Sequence, residues 1–278
     1  MLYPVGEIRY TPCDHGHSRG FLLFNDRNQH EGKEAPLGSH DRIIFPLDLP
    51  SEKEALAYAT LLSGKVGLFK IGLELFLECG PSIVEKVRKA GNADIFLDLK
   101  LHDIPVTVER AVARVADLGV RFLTVHCGES EAMLRGAVAG SQGKVGILGV
   151  TVLTSVGSED IRKSGFLPQY ADDMRQLVVK RAVMAHTCGC AGVVCSGHEA
   201  GVIRDAAGDG FYTVTPGIRP AWEGTGADDQ KRVMTPAAAM AGGSDYLVIG
   251  RPIRDAADPA AAADKVAEEI AEGLAARP

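Results

Sequence analysis

The sequence lacks an apolar stretch of the roughly 18–20 residues that a membrane-spanning helix requires. It also lacks the basic start and the apolar core of a signal peptide, because the chain opens with Met1-Leu2-Tyr3-Pro4. Cysteine is scarce, with six among 278 residues, which excludes a disulfide scaffold. We therefore expect a protein of the reducing cytoplasm that does not insert into a membrane.

An excess of positive charge is also missing. The chain has 30 Lys and Arg residues against 36 Asp and Glu residues, which gives a formal net charge of −6. Nucleic-acid-binding domains usually present a basic face, so this balance argues against nucleic acid as the main partner. The 278 residues, 46% of them hydrophobic, are sufficient for one large α/β domain with an appendage or for two smaller domains.

A metal-binding cysteine motif is absent as well. Cys188-Gly-Cys190, with His186 before it and Cys195 after it, offers ligands, but the spacing is not that of a zinc knuckle. We interpret these cysteines as small thiols of the core and predict no metal site.

From Arg42 onward, apolar strand-like runs alternate with helix-like segments, whereas residues 1–40 are polar and show little periodicity. The strand-like runs are 43–49, 67–71, 94–101, 122–127, 145–153, 192–196, 212–215 and 246–249. We predict helices that begin at Ser51, near Glu74, at Pro105, at Ser130, near Asp173 after a longer loop, at His198 and at Thr235, and a last helix near Pro259–Ala275. Nearly continuous apolar runs are typical of a parallel sheet that is covered on both faces. Eight such units predict a single-domain α/β fold, a (β/α)8 TIM barrel over residues 41–278, with residues 1–40 as an N-terminal extension. A doubly wound open sheet is the alternative, but the first run lacks the glycine loop G-x-G-x-x-G.

One stretch concentrates charge at the end of a buried strand. Asp98-Leu99-Lys100-Leu101-His102-Asp103 follows the apolar run 95–97 and precedes a helix that opens at Pro105. Side chains on a strand alternate between faces, so Asp98 and Lys100 should project to the same side. Charges moved out of water cost several kcal/mol apiece unless they are paired, so packing does not explain the arrangement. A structural ion pair at the strand end is the alternative interpretation.

Other predicted strands also end in polar side chains, at the edge where barrels of this type build their active sites. These residues are Asp48 after the first run, Lys70 on the second, His126 on the fourth, Thr154 and Ser155 after the fifth, and Ser196 on the sixth. The strand interiors are mostly Val, Ile, Leu, Phe and Gly, so the polar residues at their ends are not explained by packing.

The last two strands combine glycine with arginine. Arg219 closes the segment 215–219 after the seventh run, and Gly250 and Arg251 follow the eighth. Phosphate sites in these barrels commonly form after strands 7 and 8. Gly250 allows the backbone to approach an anion closely, and Arg251 can bind a phosphate through two parallel hydrogen bonds. The sequence therefore predicts a phosphate site, with a solvated surface charge as the alternative for a lone arginine.

These motifs resemble those of the orotidine 5′-monophosphate decarboxylase family, and the resemblance covers residues 42–275. Its most specific part is Phe96-Leu97-Asp98-Leu99-Lys100-Leu101-His102-Asp103-Ile104-Pro105, which carries the family signature D-x-K-x-x-D-I-P. Supporting matches are the segments 46–48, 70–72, 150–155, 215–219, 229–232 and 248–252. The extension of 40 residues is the departure from the family pattern, and it leaves the oligomeric state and any regulation open.

The resemblance implies a carboxy-lyase that converts orotidine 5′-monophosphate to uridine 5′-monophosphate and CO2 in de novo pyrimidine biosynthesis, without a metal or organic cofactor. It implies that Lys100 donates a proton to C6, within a charge network completed by Lys70, Asp98 and Asp103. The substrate contacts that it implies are Asp48, Lys70, Asp98, Thr107, Thr154, Ser155, Arg219, Gln230, Gly250 and Arg251. Family members are homodimers in which Asp103 is supplied across the interface. The segment 222–230 is the expected lid.

Two rival interpretations remain open at this point. Metal-dependent sugar-phosphate decarboxylases, aldolases or epimerases on the same barrel can carry a similar D-x-K-x-x-D strand. A catalytically silent barrel that only binds a phosphate ligand belongs to a different class, although a binder has no use for so costly a charge network.

Overall fold

The structure is a computed structural model that describes residues 37–223 and 233–277. Most of the predicted extension, residues 1–36, lies outside the described residues. The described chain enters the barrel through a short 3-10 helix, His40–Arg42.

Eight parallel strands form a closed barrel in which each strand pairs with its neighbours in the sequence and the last pairs with the first. The strands are β1 (Ile43–Pro46), β2 (Leu68–Gly72), β3 (Asp94–Leu101), β4 (Phe122–His126), β5 (Gly146–Val150), β6 (Gly192–Val194), β7 (Tyr212–Thr215) and β8 (Tyr246–Val248). The predicted (β/α)8 fold is confirmed.

Helices follow the strands and form the outer layer. They are α1 (Glu52–Leu61), α2 (Leu73–Cys79), α3 (Ser82–Gly91), α4 (Pro105–Ala116), α5 (Glu131–Ser141), α6 (Ser158–Lys163), α7 (Pro168–Asp172), α8 (Met174–Thr187), α9 (Gly197–Ala207), α10 (Pro236–Ala241), α11 (Arg251–Arg254) and α12 (Pro259–Ala275). Two differences from the sequence prediction stand out. The segment after β5 contains the short helices α6 and α7 where a loop was predicted, and α11 forms one extra turn directly after β8.

Local sequence explains where several helices begin. The Ser51 hydroxyl accepts a hydrogen bond from the Glu54 N–H at 3.2 Å, and the Thr235 hydroxyl accepts one from the Ala238 N–H at 3.2 Å. Such caps satisfy N–H groups that have no partner inside the helix. Both starts agree with the sequence prediction.

Aromatic side chains fill the amino end of the barrel. Phe122, Tyr212 and Tyr246 each begin a strand, and their ring centroids lie 5.6–5.8 Å apart in edge-to-face arrangements. Phe122 also packs edge-to-face on Phe96 at 6.4 Å. Such pairs combine a large apolar burial with favourable ring electrostatics. The amino end is thus a packed core, which leaves the carboxyl end of the strands for polar chemistry.

Two glycines let α5 lie unusually close to α4. A Cβ atom at Gly140 would lie 2.3 Å from the Glu109 carbonyl oxygen, and one at Gly136 would lie 2.8 Å from the Pro105 carbonyl oxygen. A side chain at either position would therefore force the helices apart. Because α4 starts directly after the charged segment of β3, this contact fixes the position of the residues that follow that segment.

Four cysteines of the described chain are buried core residues. Cys188 and Cys190 are buried, as are Cys127 and Cys195. Burial raises the pKa of the Cys127 thiol to about 12, so this group remains protonated at neutral pH. The interpretation of these cysteines as core thiols is confirmed. Within residues 37–223 and 233–277, no helix is long and apolar enough to span a membrane.

Candidate active site

The charged end of β3 is an irregular strand. Leu97 is level with Leu123 of β4 and Leu101 is level with Val125, so β3 uses four residue steps where β4 uses two. The backbone of Lys100 is left-handed, with φ of 50°. The extra residues form a bulge in β3. Bulges change the direction in which side chains point, and they occur often beside active sites. The regular strand that the sequence predicted here is therefore wrong, but Asp98 and Lys100 still lie together.

Four charged side chains form an alternating row across the first three strands. The Lys70 Nζ atom lies 2.9 Å from Asp48 Oδ1 and 3.5 Å from Asp98 Oδ2, and the Lys100 Nζ atom lies 2.8 Å from the same Asp98 Oδ2. The side chains of Lys70 and Asp98 are only 11% and 10% exposed, whereas that of Asp48 is 57% exposed. Each buried charge therefore has an opposite charge beside it, as the desolvation penalty requires.

Gly72 leaves the room that this row needs. A Cβ atom at Gly72 would lie 3.1 Å from Asp48 Oδ1 and 3.3 Å from Lys70 Nζ. Larger side chains would press on the ion pair, so the glycine after Ile71 is explained by the close approach of the charged groups.

The electrostatics of the row keep Asp98 ionised. Burial by itself would raise the pKa of Asp98, but the ammonium groups of Lys70 and Lys100 and the hydrogen bonds from Lys100 and Thr124 outweigh it. The pKa of Asp98 therefore lies below its usual value. An ionised Asp98 holds the Lys100 ammonium at a fixed point.

Thr124 belongs to this cluster, and sequence reasoning missed it. Its side chain lies in the middle of β4, fully buried, and its hydroxyl contacts both Asp98 and the backbone of Lys100. A threonine inside an otherwise apolar strand was the available signal, but its partners lie 24 and 26 residues earlier in the chain.

An apolar cavity of about 170 Å³ opens beside Lys100 and Asp98. Val150, Val152, Val194 and Val248 form much of its wall, together with Phe96, Leu153, Thr154, Cys195, Pro216 and Lys70. The ammonium of Lys100 thus meets a space with few other polar groups. In such surroundings, a fixed charge acts strongly on a bound molecule.

A second cavity, the arginine cavity, holds about 280 Å³ and adjoins the first, since Lys70, Pro216 and Val248 line both. Arg219, Gly250 and Arg251 line it, as do Asp48 and Arg254. Arg254 was not predicted, because only the extra turn α11 brings it back over the cavity. Its guanidinium is held by Asp255 in two hydrogen bonds of 2.6 and 3.0 Å. This cavity has the composition of an anion site.

Three predicted site residues of the described chain belong neither to the charged row nor to the residues that line the two cavities. Asp103 and Thr107 are exposed, and Asp103 accepts a hydrogen bond from the Ile104 N–H at 2.7 Å. Among the described residues, Asp103 makes no ion pair with either lysine. Ser155 is also exposed, next to Thr154 in the cavity wall. Gln230 and residues 224–230 of the expected lid lie outside the described residues.

Two histidines lie close together at the carboxyl ends of β3 and β4. The rings of His102 and His126 lie 5.6 Å apart, and His102 Nε2 is hydrogen-bonded to Glu129 Oε2. Burial lowers the pKa of His126, and the positive charges of His102, Lys100 and Arg181 lower it further. The imidazole of His126 is therefore neutral at pH 7.

Taken together, these groups suit a ligand with two different ends. A phosphate or similar anion would occupy the arginine cavity, and a flat apolar group would occupy the apolar cavity, with the Lys100 ammonium at its edge. A positioned ammonium can stabilise developing negative charge and can then give up a proton. Within residues 37–223 and 233–277, no group of three or more His, Cys, Asp and Glu side chains is placed to hold a metal ion.

Comparison with known proteins gives a consistent result. The family model described as "Orotidine 5'-phosphate decarboxylase / HUMPS family" matches residues 41–266. The orotidine 5'-phosphate decarboxylase of Desulfosudis oleivorans is 49% identical over 235 residues, 84% of this chain and 94% of the relative. That of Bradyrhizobium sp. strain BTAi1 is 47% identical over 240 residues, 86% of this chain and 95% of the relative.

A solved structure agrees in its three-dimensional fold. The crystal structure of orotidine 5'-phosphate decarboxylase from Lactobacillus acidophilus superimposes with a TM-score of 0.70 and 35% identity, covering 82% of this chain and 98% of that one. The residues that the family model matches include all eight strands and the residues that line both cavities. The chain belongs to the orotidine 5'-phosphate decarboxylase / HUMPS family.

Proposed function

We propose that this enzyme decarboxylates orotidine 5′-monophosphate to uridine 5′-monophosphate and CO2 in pyrimidine biosynthesis, with Lys100 protonating C6. The observation that carries the proposal is the position of the Lys100 ammonium, 2.8 Å from Asp98, on the wall of an apolar cavity that adjoins an arginine-lined one. The names of the similar proteins support the same substrate.

The proposed chemistry uses the Lys100 ammonium as the proton donor. The bond between C6 and the carboxylate carbon breaks, CO2 leaves, and the electron pair remains on C6. A fixed ammonium stabilises that developing charge, and the same group then forms the new C6–H bond by giving up a proton. Lys100 is left as a neutral amine and regains its proton from water. Turnover in this scheme proceeds without a metal or organic cofactor.

The two cavities would bind different parts of the substrate. Arg219, Gly250 and Arg251 would bind the 5′-phosphate, with Gln230 as a fourth contact. Asp48 and Lys70 would bind the ribose hydroxyls at the junction of the cavities. Thr154, Ser155 and Asp98 would contact the pyrimidine end. Binding energy gained at the phosphate, far from C6, can be used to position the reacting ring.

A second copy of the chain would complete the site. Asp103 and Thr107 are exposed, and the apolar side chains of Ile104 and Val106 beside them are 63% and 45% exposed. Exposed apolar side chains that adjoin a functional site indicate a surface for a partner. We propose a homodimer in which each copy supplies Asp103 and Thr107 to the site of the other. The catalytic unit would be residues 41–278, with residues 1–40 as an extension, in a cytoplasmic enzyme.

One spectrophotometric assay tests the proposed reaction. Purified protein is mixed with orotidine 5′-monophosphate, and loss of substrate absorbance is followed with and without EDTA. The proposal predicts turnover that EDTA does not change and formation of one uridine 5′-monophosphate per substrate consumed. EDTA-sensitive turnover would favour a metal-dependent relative, and binding of uridine 5′-monophosphate without turnover of its precursor would favour a silent binder.

A further inference from the structure

The hydroxyl group of Thr124 is the link between the irregular strand and the charged row. It lies fully buried on β4, 2.9 Å from the Lys100 backbone nitrogen and 2.9 Å from Asp98 Oδ1. We propose that Thr124 is a positioning residue for the decarboxylation: its hydroxyl holds the Asp98 carboxylate and the Lys100 backbone in the one arrangement that aims the Lys100 ammonium into the apolar cavity. The inference rests on the proposed function.

The direction of both hydrogen bonds is fixed by chemistry. A backbone N–H can only donate, so the Thr124 oxygen accepts from Lys100. An ionised carboxylate can only accept, so the single hydroxyl proton of Thr124 points to Asp98 Oδ1. Lys100 therefore uses the oxygen of the hydroxyl group and Asp98 uses its proton, so the two partners do not compete. The hydrogen-bonded bridge from Lys100 through Thr124 to Asp98 has one orientation.

This bridge sets the rotation of the Asp98 carboxylate. With Oδ1 held by Thr124, the other oxygen, Oδ2, faces both ammonium groups, at 2.8 Å from Lys100 and 3.5 Å from Lys70. Without the hydroxyl, Oδ1 would be a buried acceptor with one partner fewer. The carboxylate would then turn toward another donor, and the Lys100 ammonium would follow it away from its position.

The same hydroxyl also accepts a hydrogen bond from a backbone N–H group inside the bulge of β3. The bulge breaks the regular pairing of β3 with β4 between Leu97 and Leu101, and the left-handed backbone of Lys100 lies inside that break. The Lys100 N–H therefore needs a partner from outside the ladder, because an unpaired buried N–H is costly. Thr124 supplies it. One side chain thus stabilises the backbone of the proton donor and orients the carboxylate beside it.

Two substitutions separate the hydroxyl from the rest of the side chain. Thr124→Val keeps the shape and removes both hydrogen bonds, whereas Thr124→Ser keeps the hydroxyl and removes a methyl group. The matched control is Thr213→Val. Thr213 is also buried on a barrel strand, and its hydroxyl lies 3.1 Å from two acceptors, Asp245 Oδ2 and the Gly243 carbonyl oxygen. Asp245 precedes β8, so the control lies at the amino end of the barrel, away from the cavities.

Steady-state kinetics with orotidine 5′-monophosphate, binding of uridine 5′-monophosphate by calorimetry and thermal unfolding are measured for each variant. Misplacement of a catalytic group by about 1 Å costs on the order of 100-fold in rate, so we expect Thr124→Val to lower kcat by about 10- to 100-fold. KM and product affinity should stay within about threefold, because the phosphate contacts are intact. Thr124→Ser should restore most of kcat, and Thr213→Val should lower the unfolding temperature without lowering kcat.

Three results would overturn the inference. A folded Thr124→Val variant with the kcat of the wild type would do so, and so would a Thr124→Ser variant as slow as Thr124→Val, because the methyl group would then be responsible. If Thr124→Val does not fold, Thr124→Cys takes its place, since a thiol is only a weak donor and acceptor. Wild-type protein that does not turn over orotidine 5′-monophosphate would instead overturn the proposed function, and this inference with it.

Discussion

The Lys100 ammonium lies 2.8 Å from the Asp98 carboxylate, although Lys100 has a left-handed backbone with φ of 50°. Only one residue separates the two in the chain, and a regular strand would point their side chains in parallel, side by side. The bulge instead lets the lysine side chain reach across to the carboxylate. The same Asp98 oxygen also lies 3.5 Å from the Lys70 ammonium, so the pair belongs to a larger charged row.

Replacing Lys100 by alanine should abolish turnover while leaving the fold intact. A general acid contributes typically 10²- to 10⁴-fold, so we expect kcat to fall by at least about 10³-fold when the same group also stabilises charge. Asp98 keeps Lys70 and Thr124 as partners, so the barrel should still fold. The control is Lys65→Ala, which removes an ion pair with Asp264 and should leave kcat unchanged. Near-normal kcat in Lys100→Ala would contradict the role of Lys100.

Mixing two inactive variants tests whether the site is shared between copies. In the proposed dimer, every site of the Lys100→Ala protein lacks the ammonium, and every site of the Asp103→Ala protein lacks the carboxylate supplied by the partner copy. After subunit exchange, a heterodimer would contain one site with both defects and one with neither, so activity should reappear, to about a quarter of the wild-type value for random exchange and independent sites. Activity is followed in the same assay, and exchange is verified with differently tagged subunits. Proven exchange without recovery would argue that Asp103 does not act across an interface.

Removing Arg251 should weaken binding of the phosphate end selectively. A charged, bidentate hydrogen bond contributes about 1.5–3 kcal/mol, so Arg251→Ala should lower affinity for uridine 5′-monophosphate by about 10- to 150-fold. Affinity for uridine, which carries no phosphate, should not change. Calorimetry with both ligands checks this, with Arg135→Ala as the control because Arg135 pairs with Glu131 on the exposed side of α5. An equal loss for both ligands would place Arg251 outside a phosphate site.

Arg254 lines the same cavity and should have a smaller effect. Its guanidinium is already bound by Asp255, so a phosphate would have to share it. We expect Arg254→Ala to lower the affinity for uridine 5′-monophosphate by less than Arg251→Ala does. The same calorimetric measurement ranks the two variants, and a larger loss for Arg254→Ala would reverse their proposed roles.

His126 should make stability depend on pH. Burial lowers its pKa below the usual value of 6.5, and nearby cations add to the shift. As the pH falls below about 6.5, the unfolded chain therefore binds a proton that the folded chain does not, and the unfolding free energy decreases. In urea denaturation, His126→Asn should lose less unfolding free energy than the wild type between about pH 7 and pH 5.5. His198→Asn, at an exposed position on α9, should behave like the wild type, and equal losses in all three proteins would contradict the assignment.

Gly140 should tolerate no side chain. A Cβ atom there would lie 2.3 Å from the Glu109 backbone oxygen, and backbone cannot move aside cheaply. Overpacking typically costs 1–3 kcal/mol, so Gly140→Ala should lower the unfolding free energy by about that amount. Ala139→Ser, on the exposed side of the same helix, should change it by less than about 0.5 kcal/mol. Chemical denaturation measures the unfolding free energy of both variants. An unfolding free energy of Gly140→Ala equal to that of the wild type would mean that α4 and α5 separate without cost.

Local patterns in the sequence were enough for most of the fold. Continuous apolar runs predicted all eight strands, and β3 (Asp94–Leu101), β7 (Tyr212–Thr215) and α12 (Pro259–Ala275) begin and end where predicted. Strand ends elsewhere differ by a few residues, since pairing with neighbours decides where a strand stops. The helices α6 and α7 were missed because six- and five-residue helices are too short to show a periodic pattern.

The site was predicted in part. Asp48, Lys70, Asp98 and Lys100 meet in the structure, and Arg219, Gly250 and Arg251 line the adjoining cavity. Thr124 and Arg254 were not predicted, since neither belongs to a local motif. Thr124 contacts residues on another strand, and the position of Arg254 depends on the single helical turn α11.

The sequence by itself determined the order of strands and helices and the kinds of charged group at the strand ends, because both follow from short-range chemistry: apolar periodicity, caps and residue type. Only the tertiary structure decided how those charges are arranged. The bulge in β3, the left-handed backbone of Lys100 and the hydroxyl bridge from Thr124 exist because β3 pairs with β4, and closure of the barrel fixes that pairing. The type of each group is a property of one residue, whereas its position depends on partners that are distant in the chain.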